Sequence, residues 1–307
     1  MTLMQLDLAP LKTVFGDRLA LNVPLARFTA ARIGGPAAGL LQVETVDELV
    51  EAVSTCWQQQ IPLVIVGGGS NVLVSDAGIN AMVLVNHARR TQFTSSTESA
   101  QVWAESGANT GLLARQAAER GFGGLEWAAG IPGSLGGAVV GNAGAHGGDI
   151  AGNLIVAEIL HPTGQREMWT AEQLEFDYRS SRLKRQNLQA VVLTATLRLH
   201  PKPQEEIQAE MNRFIEHRRR TQPPGASMGS MFKNPPGDFA GRLIEFAGLK
   251  GTRVGNAEIS RLHGNFFVNL GEARAQDVRE LIDLARRVVF EQTGIQLELE
   301  IELLGTW

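Results

Sequence analysis

The sequence predicts an α+β protein built from several subdomains. Its 307 residues exceed the about 100–200 residues of one typical domain, so more than one folding unit is expected. Helical and strand patterns are mixed along the chain without an internal repeat or a low-complexity stretch. A hydrophobic fraction of 44% and a charged fraction of 20% are ordinary for a globular protein with a well-filled core.

The first elements are a helix and a strand that runs into a glycine turn. Residues 45–59 are predicted to form a helix, since Thr45 and Glu48 have the spacing of a capping box. Its apolar side chains share one face: Leu49, Val50, Val53, Cys56 and Trp57. The chain then passes through Pro62 into LVIV, predicted to be a buried strand, and reaches GGGSN at 67–71.

The middle of the chain is predicted to hold three strands and two helices. Strands are expected at 81–86, 101–105 and 190–200. Asn109 or Thr110 would cap a short helix that stops at Gly121. Residues 201–220 begin with prolines and continue as a helix with apolar positions, namely Ile207, Met211, Phe214 and Ile215. We place a domain boundary at this point.

The C-terminal third carries the clearest helix. After a short helix at 239–248 and a strand at 265–270, residues 275–293 show one apolar stripe and end at Gly294. The stripe consists of Val278, Leu281, Ile282, Ala285, Val288 and Val289. The sequence closes on LELEIELLG, predicted to be an alternating strand with its leucines and isoleucine on one side and its glutamates on the other.

Charge and cysteine content exclude several classes of protein. The formal net charge of −4 gives no bulk electrostatic reason to bind nucleic acid. Cys56 is the only cysteine, which excludes internal disulfides and cysteine-based zinc sites and fits a reducing compartment. The start MTLMQLDLAP lacks the pattern of a signal peptide, and no segment approaches the about 20 apolar residues of a membrane span. We therefore expect a cytoplasmic protein without membrane contact.

Two glycine-rich segments suggest a bound anion. GGGSN lacks the ending of a P-loop, and Val72 stands where a dinucleotide fingerprint needs its third glycine. A sharp turn after a strand can still present consecutive backbone N–H groups to a phosphate, although a plain strand-to-loop turn is an equal alternative.

The second segment, residues 123–150, holds ten glycines in 28 residues. Pro132 and apolar neighbours argue against a flexible linker. Gly130, Gly133, Gly136 and Gly137 instead predict a compact, buried loop whose backbone needs partners. Two such loops, about sixty residues apart, favour one extended ligand, most simply a diphosphate-bearing dinucleotide.

Six motifs carry a family resemblance. In chain order the motifs are RFTAARIGGPA (27–37), VGGGSNVLVSDAGI (66–79), GLEWAAGIPGSLGGAVVGNAGAHGG (124–148), FDYRSS (176–181), GSMFKNP (229–235) and AEISRLHGNFFVNLG (257–271). With these motifs, residues 20–305 of the chain resemble the UDP-N-acetylenolpyruvoylglucosamine reductase (UDP-N-acetylmuramate dehydrogenase) family, in its shorter form without a tyrosine-bearing loop.

The resemblance implies a fold and its division. We expect an FAD-binding fold of the vanillyl-alcohol-oxidase type, made of two α+β subdomains, followed by a C-terminal α+β substrate subdomain. Residues 1–80, joined by the terminal strand at 295–307, would form the first FAD-binding subdomain. Residues 81–203 would form the second, and residues 204–294 the subdomain for the UDP-sugar.

The same resemblance implies FAD as the cofactor. It assigns the FAD diphosphate to Gly67, Gly68, Gly69, Ser70 and Asn71. It assigns further cofactor contacts to Ile131, Pro132, Ser134, Gly136, Gly137, Asn142 and Ala143. Residues 62–80 contain no histidine, so non-covalent binding is expected, with His146 a loop residue rather than an attachment point. No metal site is expected.

The implied reaction reduces the enolpyruvyl ether of UDP-N-acetylglucosamine enolpyruvate to UDP-N-acetylmuramate, for peptidoglycan precursor synthesis. NADPH, the co-substrate, would reduce FAD, which passes a hydride to the β-carbon of the ether while a proton reaches the α-carbon. Negative charge then builds towards the substrate carboxylate. The protein must therefore supply a cation or a protonated acid there, and a proton donor on the opposite side.

Three residues match these roles by motif position. The resemblance implies that Ser230 is the proton donor and that Arg179 binds the substrate carboxylate. From residue chemistry alone, Ser230 could also be a turn serine and Arg179 a surface arginine. Ser227 stays open as an alternative donor.

Glu300 is the third residue. Periodicity alone predicts three solvated carboxylates at 298, 300 and 302, and only the family's ending selects Glu300. Glu302 stands where relatives often carry arginine. This departure puts in doubt a second cation near the carboxylate, and the like charge of Glu302 could raise the pKa of Glu300.

Several further residues have weaker assignments. The resemblance implies that Tyr178, Lys233 and Asn234 contact substrate, though Tyr178 could equally be packing. A basic run at Arg218, Arg219 and Arg220 could assist with phosphate or be a solvated helix face. His263 and Asn265 are interpreted as structural. Ala31 replaces a common aromatic and is expected to loosen packing near the flavin.

Two rival functions remain. An alcohol or sugar-lactone oxidase of the same fold would be reoxidised by O₂ and need no NADPH. A nucleotide-sugar-binding protein without redox chemistry would be colourless. The missing P-loop and missing paired metal carboxylates disfavour a kinase or a glycosyltransferase. The expected partners are therefore the enolpyruvyl substrate and NADPH, and the expected state is a monomer.

Overall fold

A computed structural model describes residues 6–307 of the chain. Residues 1–5, the start of the segment judged not to be a signal peptide, lie outside this range. The helices of the described part are α1 Ala9–Phe15, α2 Val46–Gln58, α3 Thr110–Ala118, α4 Leu135–Gly141, α5 Ile150–Asn153, α6 Ala171–Leu174, α7 Arg182–Arg185, α8 Gln204–Thr221, α9 Ala240–Phe246 and α10 Ala275–Thr293. Single 3₁₀ turns occupy Gly16–Arg18, Leu25–Phe28 and Glu126–Ala128.

The strands of the same part are mostly short. They are β1 Ala20–Pro24, β2 Pro36–Val43, β3 Leu63–Val66, β4 Val72–Val74, β5 Ile79–Asn86, β6 Thr91–Ser95, β7 Ala100–Glu105, β8 Phe122–Gly123, β9 Gly144–Ala145, β10 Gly148–Asp149, β11 Leu154–Leu160, β12 Arg166–Trp169, β13 Val191–Pro201, β14 Ala226–Ser230, β15 Arg253–Val254, β16 Ala257–Ile259, β17 Phe266–Asn269 and β18 Glu302–Leu304.

The first sheet has the order β1-β2-β5-β3, with β5 parallel to both β2 and β3. Helix α2 packs on it because its buried face, which includes Leu49, Val53 and Cys56, meets Leu41 and Leu84 of the sheet. Strand β3 covers the predicted LVIV, but only Val66 is buried, since β3 is the edge strand.

The second sheet is antiparallel with the order β12-β11-β13-β7-β6, and β8 adds to β13. Its core is filled by apolar residues from α3, α4 and α8. Helix α3 begins as predicted, because the side chain of Asn109 accepts the N–H of Leu112 at 2.8 Å.

The third sheet, in the order β14-β17-β16-β15, is antiparallel and packs against α9 and α10. Helix α10 has the bounds and the stripe that its sequence predicts, and Gly294 ends it in a left-handed conformation at φ +71°. Ala31, Ile33 and Leu73 from the N-terminal part join this core. The third sheet therefore shares its apolar interior with the first part of the chain.

The last predicted strand is shorter than expected. Residues 298–300 lie beside 231–233, where Lys233 N–H donates to Glu298 O and Glu300 N–H donates to Met231 O. The chain then changes neighbour, and β18 pairs in parallel with β4. Because the stretch serves two partners in turn, only Glu302–Leu304 forms a regular strand.

Among the helices of residues 6–307, none combines the length and apolarity needed to cross a bilayer.

Candidate active site

The GGGSN turn leaves its backbone N–H groups without partners. It follows β3 directly, and within the described chain no N–H group of residues 67–71 donates a hydrogen bond. Gly69 adopts φ +57°, and its carbonyl accepts the N–H of Ala30 at 2.9 Å. Unpaired N–H groups at a glycine turn suit a phosphate.

Gly69 is required by the chain itself. A β-carbon at residue 69 would lie 2.0 Å from the carbonyl oxygen of Phe28 and 2.8 Å from Cα of Thr29. A larger residue would therefore displace the neighbouring backbone before it met any ligand. Substitution of Gly69 cannot report on the cofactor alone.

The second glycine segment is partly helical, which corrects the expectation of a continuous loop. Gly136 and Gly137 lie in α4, and Ser134 caps this helix by accepting the N–H of Gly137 at 3.4 Å. Leu135 N–H donates to Ala108 O, and Gly136 N–H donates to Ser106 O at 2.7 Å. Glycine fits at 136 because a β-carbon there would lie only 3.0 Å from Cβ of Ser106.

The two segments touch each other. A β-carbon on Gly68 would lie 3.2 Å from Cα of Gly133, and the Ser70 hydroxyl donates to the carbonyl of Pro132 at 3.4 Å. The N–H groups of Gly133 and Ser134 make no hydrogen bond among the described residues. The contact thus joins two sets of free N–H groups into one surface, which fits the diphosphate of FAD.

Other predicted cofactor residues hold the chain together. Asn142 is buried at the left-handed end of α4, and its amide nitrogen donates to Asp149 and to the carbonyl of Asp177. Ala143 donates to Ala138 O and accepts from Ile150 N–H. Ile131 packs against the core of the second sheet. Any cofactor contact by these residues would have to come from their remaining surface.

Arg179 and Glu300 meet across the molecule. Nε of Arg179 lies 2.8 Å from Oε1 of Glu300, and the two side chains are 27% and 15% exposed. Nε is nevertheless without a hydrogen-bond partner in the described chain. The contact is therefore an ion pair between a buried Nε and the carboxylate rather than an aligned hydrogen bond. Arg179 adopts φ +54° inside a turn closed by mutual hydrogen bonds of Asp177 and Ser180, a strained arrangement typical of functional sites.

Burial raises the pKa of Glu300, and the positive charges of Arg179, Lys184 and Lys233 oppose that rise. The direction agrees with our expectation, but the cause is different, since like charge from Glu302 plays no part. The sequence put a second cation near Glu300 in doubt, but the structure has more than one there. Lys184 and Lys233 both act on Glu300, and Nζ of Lys184 lies 2.6 Å from Oε1 of Glu302.

The alternating pattern predicted that Glu300 is exposed to solvent like Glu298 and Glu302, but its side chain is mostly buried. Glu298 and Glu302 are 71% and 52% exposed, as an outward face predicts. Glu300 is covered because the 177–180 turn, which belongs to a different sheet region, brings Arg179 over it. Strand alternation cannot detect such a tertiary contact.

Ser230 ends β14, next to the extended segment at residues 298–300 that includes Glu300. It pairs with Phe266, and the following residue, Met231, accepts the N–H of Glu300 at 2.9 Å. A β-carbon on Gly229 would lie 4.0 Å from Ser70 O, so this strand end reaches the GGGSN turn. Ser227 pairs with Val268, and an irregularity in the ladder separates it from Ser230.

The predicted substrate residues lie together. The Tyr178 hydroxyl accepts the backbone N–H of Asn234 at 3.4 Å, and the Tyr178 ring is half exposed. Lys233 contacts the carboxylate of Glu298 through Nζ. The Asn234 side-chain oxygen accepts the N–H of Ala240, so that part of its amide supports the start of α9. A cleft of about 500 Å³ runs between the 144–149 hairpin and the Phe176–Arg179 segment.

Arg218 differs from its basic neighbours. A β-carbon on Gly130 would lie 3.7 Å from Cδ and Nε of Arg218, so this side chain packs beside the second glycine segment. Burial lowers the pKa of Arg218, while Arg219 and Arg220 are exposed. No acidic partner faces Arg218 among the described residues. Among the three arginines at the end of α8, Arg218 is the one on the helix face that lies against the glycine segment, and this position on the helix distinguishes it.

Protein families match both parts of the chain. The model described as FAD binding domain matches residues 37–167. The model described as UDP-N-acetylenolpyruvoylglucosamine reductase, C-terminal domain, matches residues 221–304.

Individual proteins match nearly the full length. The UDP-N-acetylenolpyruvoylglucosamine reductase of Chloroflexus aggregans is 44% identical over 92% of this chain and 96% of its own. The reductase of Bacillus subtilis is 41% identical over 92% of this chain and 93% of its own. The crystal structure of the Thermus caldophilus reductase superposes with a TM-score of 0.78 at 40% identity, covering 94% of this chain and 99% of that one. The expected fold class, α+β with an FAD-binding fold of the vanillyl-alcohol-oxidase type and a C-terminal α+β subdomain, is confirmed.

Proposed function

The chain belongs to the UDP-N-acetylenolpyruvoylglucosamine reductase family, and on that premise we propose that Ser230, Arg179 and Glu300 carry out substrate reduction. It is an FAD-dependent oxidoreductase that uses NADPH to reduce UDP-N-acetylglucosamine enolpyruvate to UDP-N-acetylmuramate. This reaction supplies a peptidoglycan precursor. The residue roles below are our proposal.

The two glycine segments would hold the cofactor. Residues 67–71, with Gly133 and Ser134, would donate backbone N–H groups to the FAD diphosphate, and Arg218 would offset its charge at the rim. FAD held by these residues would supply the hydride transfer from NADPH to the β-carbon of the enol ether. The free N–H groups and the loop-to-loop contact support this placement.

Arg179 and Glu300 would stabilise the charge that develops on the substrate. The exposed part of the Arg179 guanidinium can bind the substrate carboxylate, and its fork suits that geometry. Burial raises the pKa of Glu300, which favours a neutral carboxyl that would donate a hydrogen bond to the same group when the substrate carboxylate takes over the contact with Arg179. Both effects favour the enolate-like form of the substrate over its ground state.

Ser230 would deliver the proton to the α-carbon. The backbone carbonyl of its neighbour Met231 accepts the N–H of Glu300, so Ser230 and Glu300 lie on adjacent stretches of backbone. A serine is a weak acid in water, but an enolate-like acceptor held in place lowers the demand on it. Tyr178, Lys233 and Asn234 would bind the UDP-sugar beside this strand.

One observation carries the proposal. The side-chain amide of Asn71 donates to the carbonyl of Glu300 at 3.1 Å, and Glu302 N–H donates back to Asn71 O at 2.9 Å. Asn71 ends the GGGSN turn, so this turn is joined directly to the backbone that carries the Glu300 side chain. A flavin held by that turn would therefore stand in a fixed relation to Glu300.

The test is to purify the protein and follow NADPH consumption with and without the enolpyruvyl substrate. A yellow protein whose NADPH oxidation is accelerated by that substrate supports the proposal. Substrate-independent reoxidation by O₂ would instead indicate an oxidase of the same fold. A colourless protein that binds the nucleotide sugar would indicate a binding protein.

We further propose that the chain acts as a monomer in the cytoplasm, where its NADPH and UDP-sugar are found. It would act without contact to membranes or nucleic acid. The single, buried Cys56 and the net charge of −4 support that setting. We propose the division near residues 80, 203 and 294, with 295–307 returning to the first subdomain, as the β18–β4 pairing supports. The sheets favour later boundaries than 80 and 203, because β5 (Ile79–Asn86) lies inside the first sheet and Ile207 and Met211 of α8 pack in the core of the second.

A further inference from the structure

Lys233 and Glu298 face each other across two neighbouring extended segments. The bridge between Phe232 and Leu299 places Lys233 directly opposite Glu298, and Lys233 N–H donates to Glu298 O at 2.8 Å. Their side chains also pair, with Nζ of Lys233 in contact with the carboxylate of Glu298. Among residues 6–307, no other carboxylate pairs with Lys233. The ammonium group therefore has one anionic partner, which comes from the protein itself.

The pair lies on the side of these segments that carries the proposed reaction centre. Phe232 and Leu299 pack into the apolar core of the third sheet. Successive side chains of an extended segment point to opposite sides, so Lys233 and Glu300 point away from that core. Arg179 meets Glu300 on this side, with its Nε 2.8 Å from Oε1. The ammonium group of Lys233 is therefore on the same surface as the pair of Arg179 and Glu300.

This surface borders the cleft of about 500 Å³, which Tyr178 and Arg179 line. The Tyr178 hydroxyl accepts the backbone N–H of Asn234, the residue that follows Lys233, at 3.4 Å. The proposed contact of Lys233 with the UDP-sugar would be made from this side. In the structure, Glu298 holds the ammonium group that such a contact needs.

The two partners differ in how easily they can separate. The Glu298 side chain is 71% exposed, whereas that of Lys233 is 20% exposed. A carboxylate that leaves the pair regains its water, but the largely covered ammonium group does not, so it requires another anion. A diphosphate offers more negative charge and more acceptor oxygens than a carboxylate, and it can therefore take the place of Glu298.

We propose that Glu298 is a specificity-determining residue, which occupies Lys233 in the empty enzyme and is displaced by the diphosphate of the UDP-sugar. Displacement costs the same for any anion, so a diphosphate tolerates it, whereas a singly charged group gains little from the exchange. The ligand class at this position is thus a nucleoside diphosphate. The inference rests on the proposed function for the contact between Lys233 and the UDP-sugar.

Glu298→Gln removes the competing charge and keeps the size of the side chain. In the FAD-loaded protein, this variant should bind UDP about two- to fivefold more tightly, which is the range of exposed ion pairs. Uridine has no phosphate and should bind as it does to the unmodified protein. Isothermal titration calorimetry with UDP and with uridine, at one low salt concentration, measures these affinities.

Two further variants locate the effect. Lys233→Met should weaken the binding of UDP, and Glu298→Gln added to it should change nothing further, since no ammonium group is left to compete for. Glu245→Gln is the matched control, because Glu245 pairs with Lys250 at 3.1 Å and the two side chains are 63% and 25% exposed. Loss of that negative charge should leave the affinity for UDP unchanged.

Unchanged UDP affinity in Glu298→Gln would overturn the inference. An equal gain for uridine, in Glu245→Gln or in the Lys233→Met background would overturn it as well, because the effect would then not depend on the ammonium group. Acceleration of NADPH consumption by the enolpyruvyl substrate tests the proposed function separately. A protein that reduces the substrate while Glu298→Gln leaves UDP affinity unchanged keeps its function and loses only this inference.

Discussion

Gly67 packs against Ser134 so closely that a β-carbon on residue 67 would lie 2.0 Å from Oγ of the serine. It would also lie 2.6 Å from Cβ of Ser134. Residue 67 begins the first glycine turn, and Ser134 caps α4 in the second segment. The two glycine segments can therefore pack against each other because residue 67 has no side chain.

We expect Gly67→Ala to weaken FAD binding without unfolding the protein. The added methyl would push the Ser134 hydroxyl away from the N–H of Gly137 and separate the two turns. Because separated turns would no longer present their N–H groups to one diphosphate, we expect an about tenfold rise in the Kd for FAD, or about 1.4 kcal/mol. Flavin fluorescence during titration of the apoprotein measures this change.

Two further variants test the cause. Ser134→Gly added to Gly67→Ala removes the clash and should recover part of the FAD affinity. Gly141→Ala is the control, because no atom lies within 4 Å of a β-carbon there. Full affinity in Gly67→Ala would show that the close contact does not shape the cofactor site.

Ser230→Ala should separate the two half-reactions. FAD binding and reduction by NADPH should stay intact, because the hydroxyl is assigned only to proton delivery. Reoxidation of the flavin by the enolpyruvyl substrate should slow by about 10²-fold or more, the usual contribution of a positioned proton donor. Stopped-flow absorbance of the flavin follows each half separately.

Ser227→Ala decides between the two serines. It should reoxidise nearly as fast as the unmodified protein, since Ser227 lies on the far side of the ladder irregularity from Met231 and Glu300. A slow Ser227 variant together with a fast Ser230 variant would reassign the proton donor to Ser227.

Glu300→Gln should make the protein relatively more stable as the pH rises. Burial raises the pKa of Glu300 above its ordinary 4.5, so the folded chain holds a proton that the unfolded chain releases. The free energy of unfolding of the unmodified protein must then fall from about pH 4.5 upwards, until the pH passes the folded-state pKa. Glutamine does not titrate and escapes this loss.

Urea unfolding of both proteins between pH 4 and 8 measures the difference. The free energy of unfolding of Glu300→Gln should increase relative to that of the unmodified protein across the lower part of that range. Above the folded-state pKa of Glu300, the difference between the two proteins should stay constant. Ile301→Val, which trims a buried neighbour, should cost about 0.5–1.5 kcal/mol at every pH. A gap for Glu300→Gln that is equally flat would contradict the raised pKa.

Asp76→Ala should destabilise the contact between the first glycine-rich part and α10. The Asp76 carboxylate accepts the backbone N–H groups of Ala275 at 2.8 Å and Gln276 at 2.9 Å, and so caps a helix 199 residues away. Loss of such a cap costs about 1–2 kcal/mol. Thermal unfolding monitored by circular dichroism measures it.

Asp283→Ala provides the comparison on the same helix. Asp283 pairs with Arg279 at 3.2 Å on the exposed side, where such an i,i+4 pair contributes only about 0.3–0.5 kcal/mol. Equal losses in both variants would mean that Asp76 adds no more than a surface charge.

Local signals in the sequence predicted the elements well. Thr45 accepts the N–H of Glu48 as its spacing suggests, and the 275–293 helix follows its apolar stripe to Gly294. The second hydrogen bond of the capping box, from the N–H of Thr45 to the carboxylate of Glu48, is replaced. The Glu48 carboxylate accepts the N–H of Glu44 and pairs with Arg18 instead. A charged partner from another element replaced a local bond.

The site itself depended on contacts that no local pattern carries. The burial of Glu300 comes from Arg179, and the charge of Glu302 is taken up by Lys184, both distant in sequence. Helix α4 was missed because glycines at 136 and 137 disfavour a helix, yet a larger residue at 136 would meet Ser106. Such features follow from the assembled fold rather than from sequence spacing.

The pairing of β18 with β4 also has a consequence for how the molecule is made. Strand β4 follows the cofactor turn, but its parallel partner lies 230 residues further on, at Glu302↔Val72. A nascent chain on the ribosome has no neighbour for that edge until residue 302 has emerged. Because the same stretch supplies Glu300 O and Glu302 N–H to Asn71, uptake of flavin should come as a late event in biosynthesis.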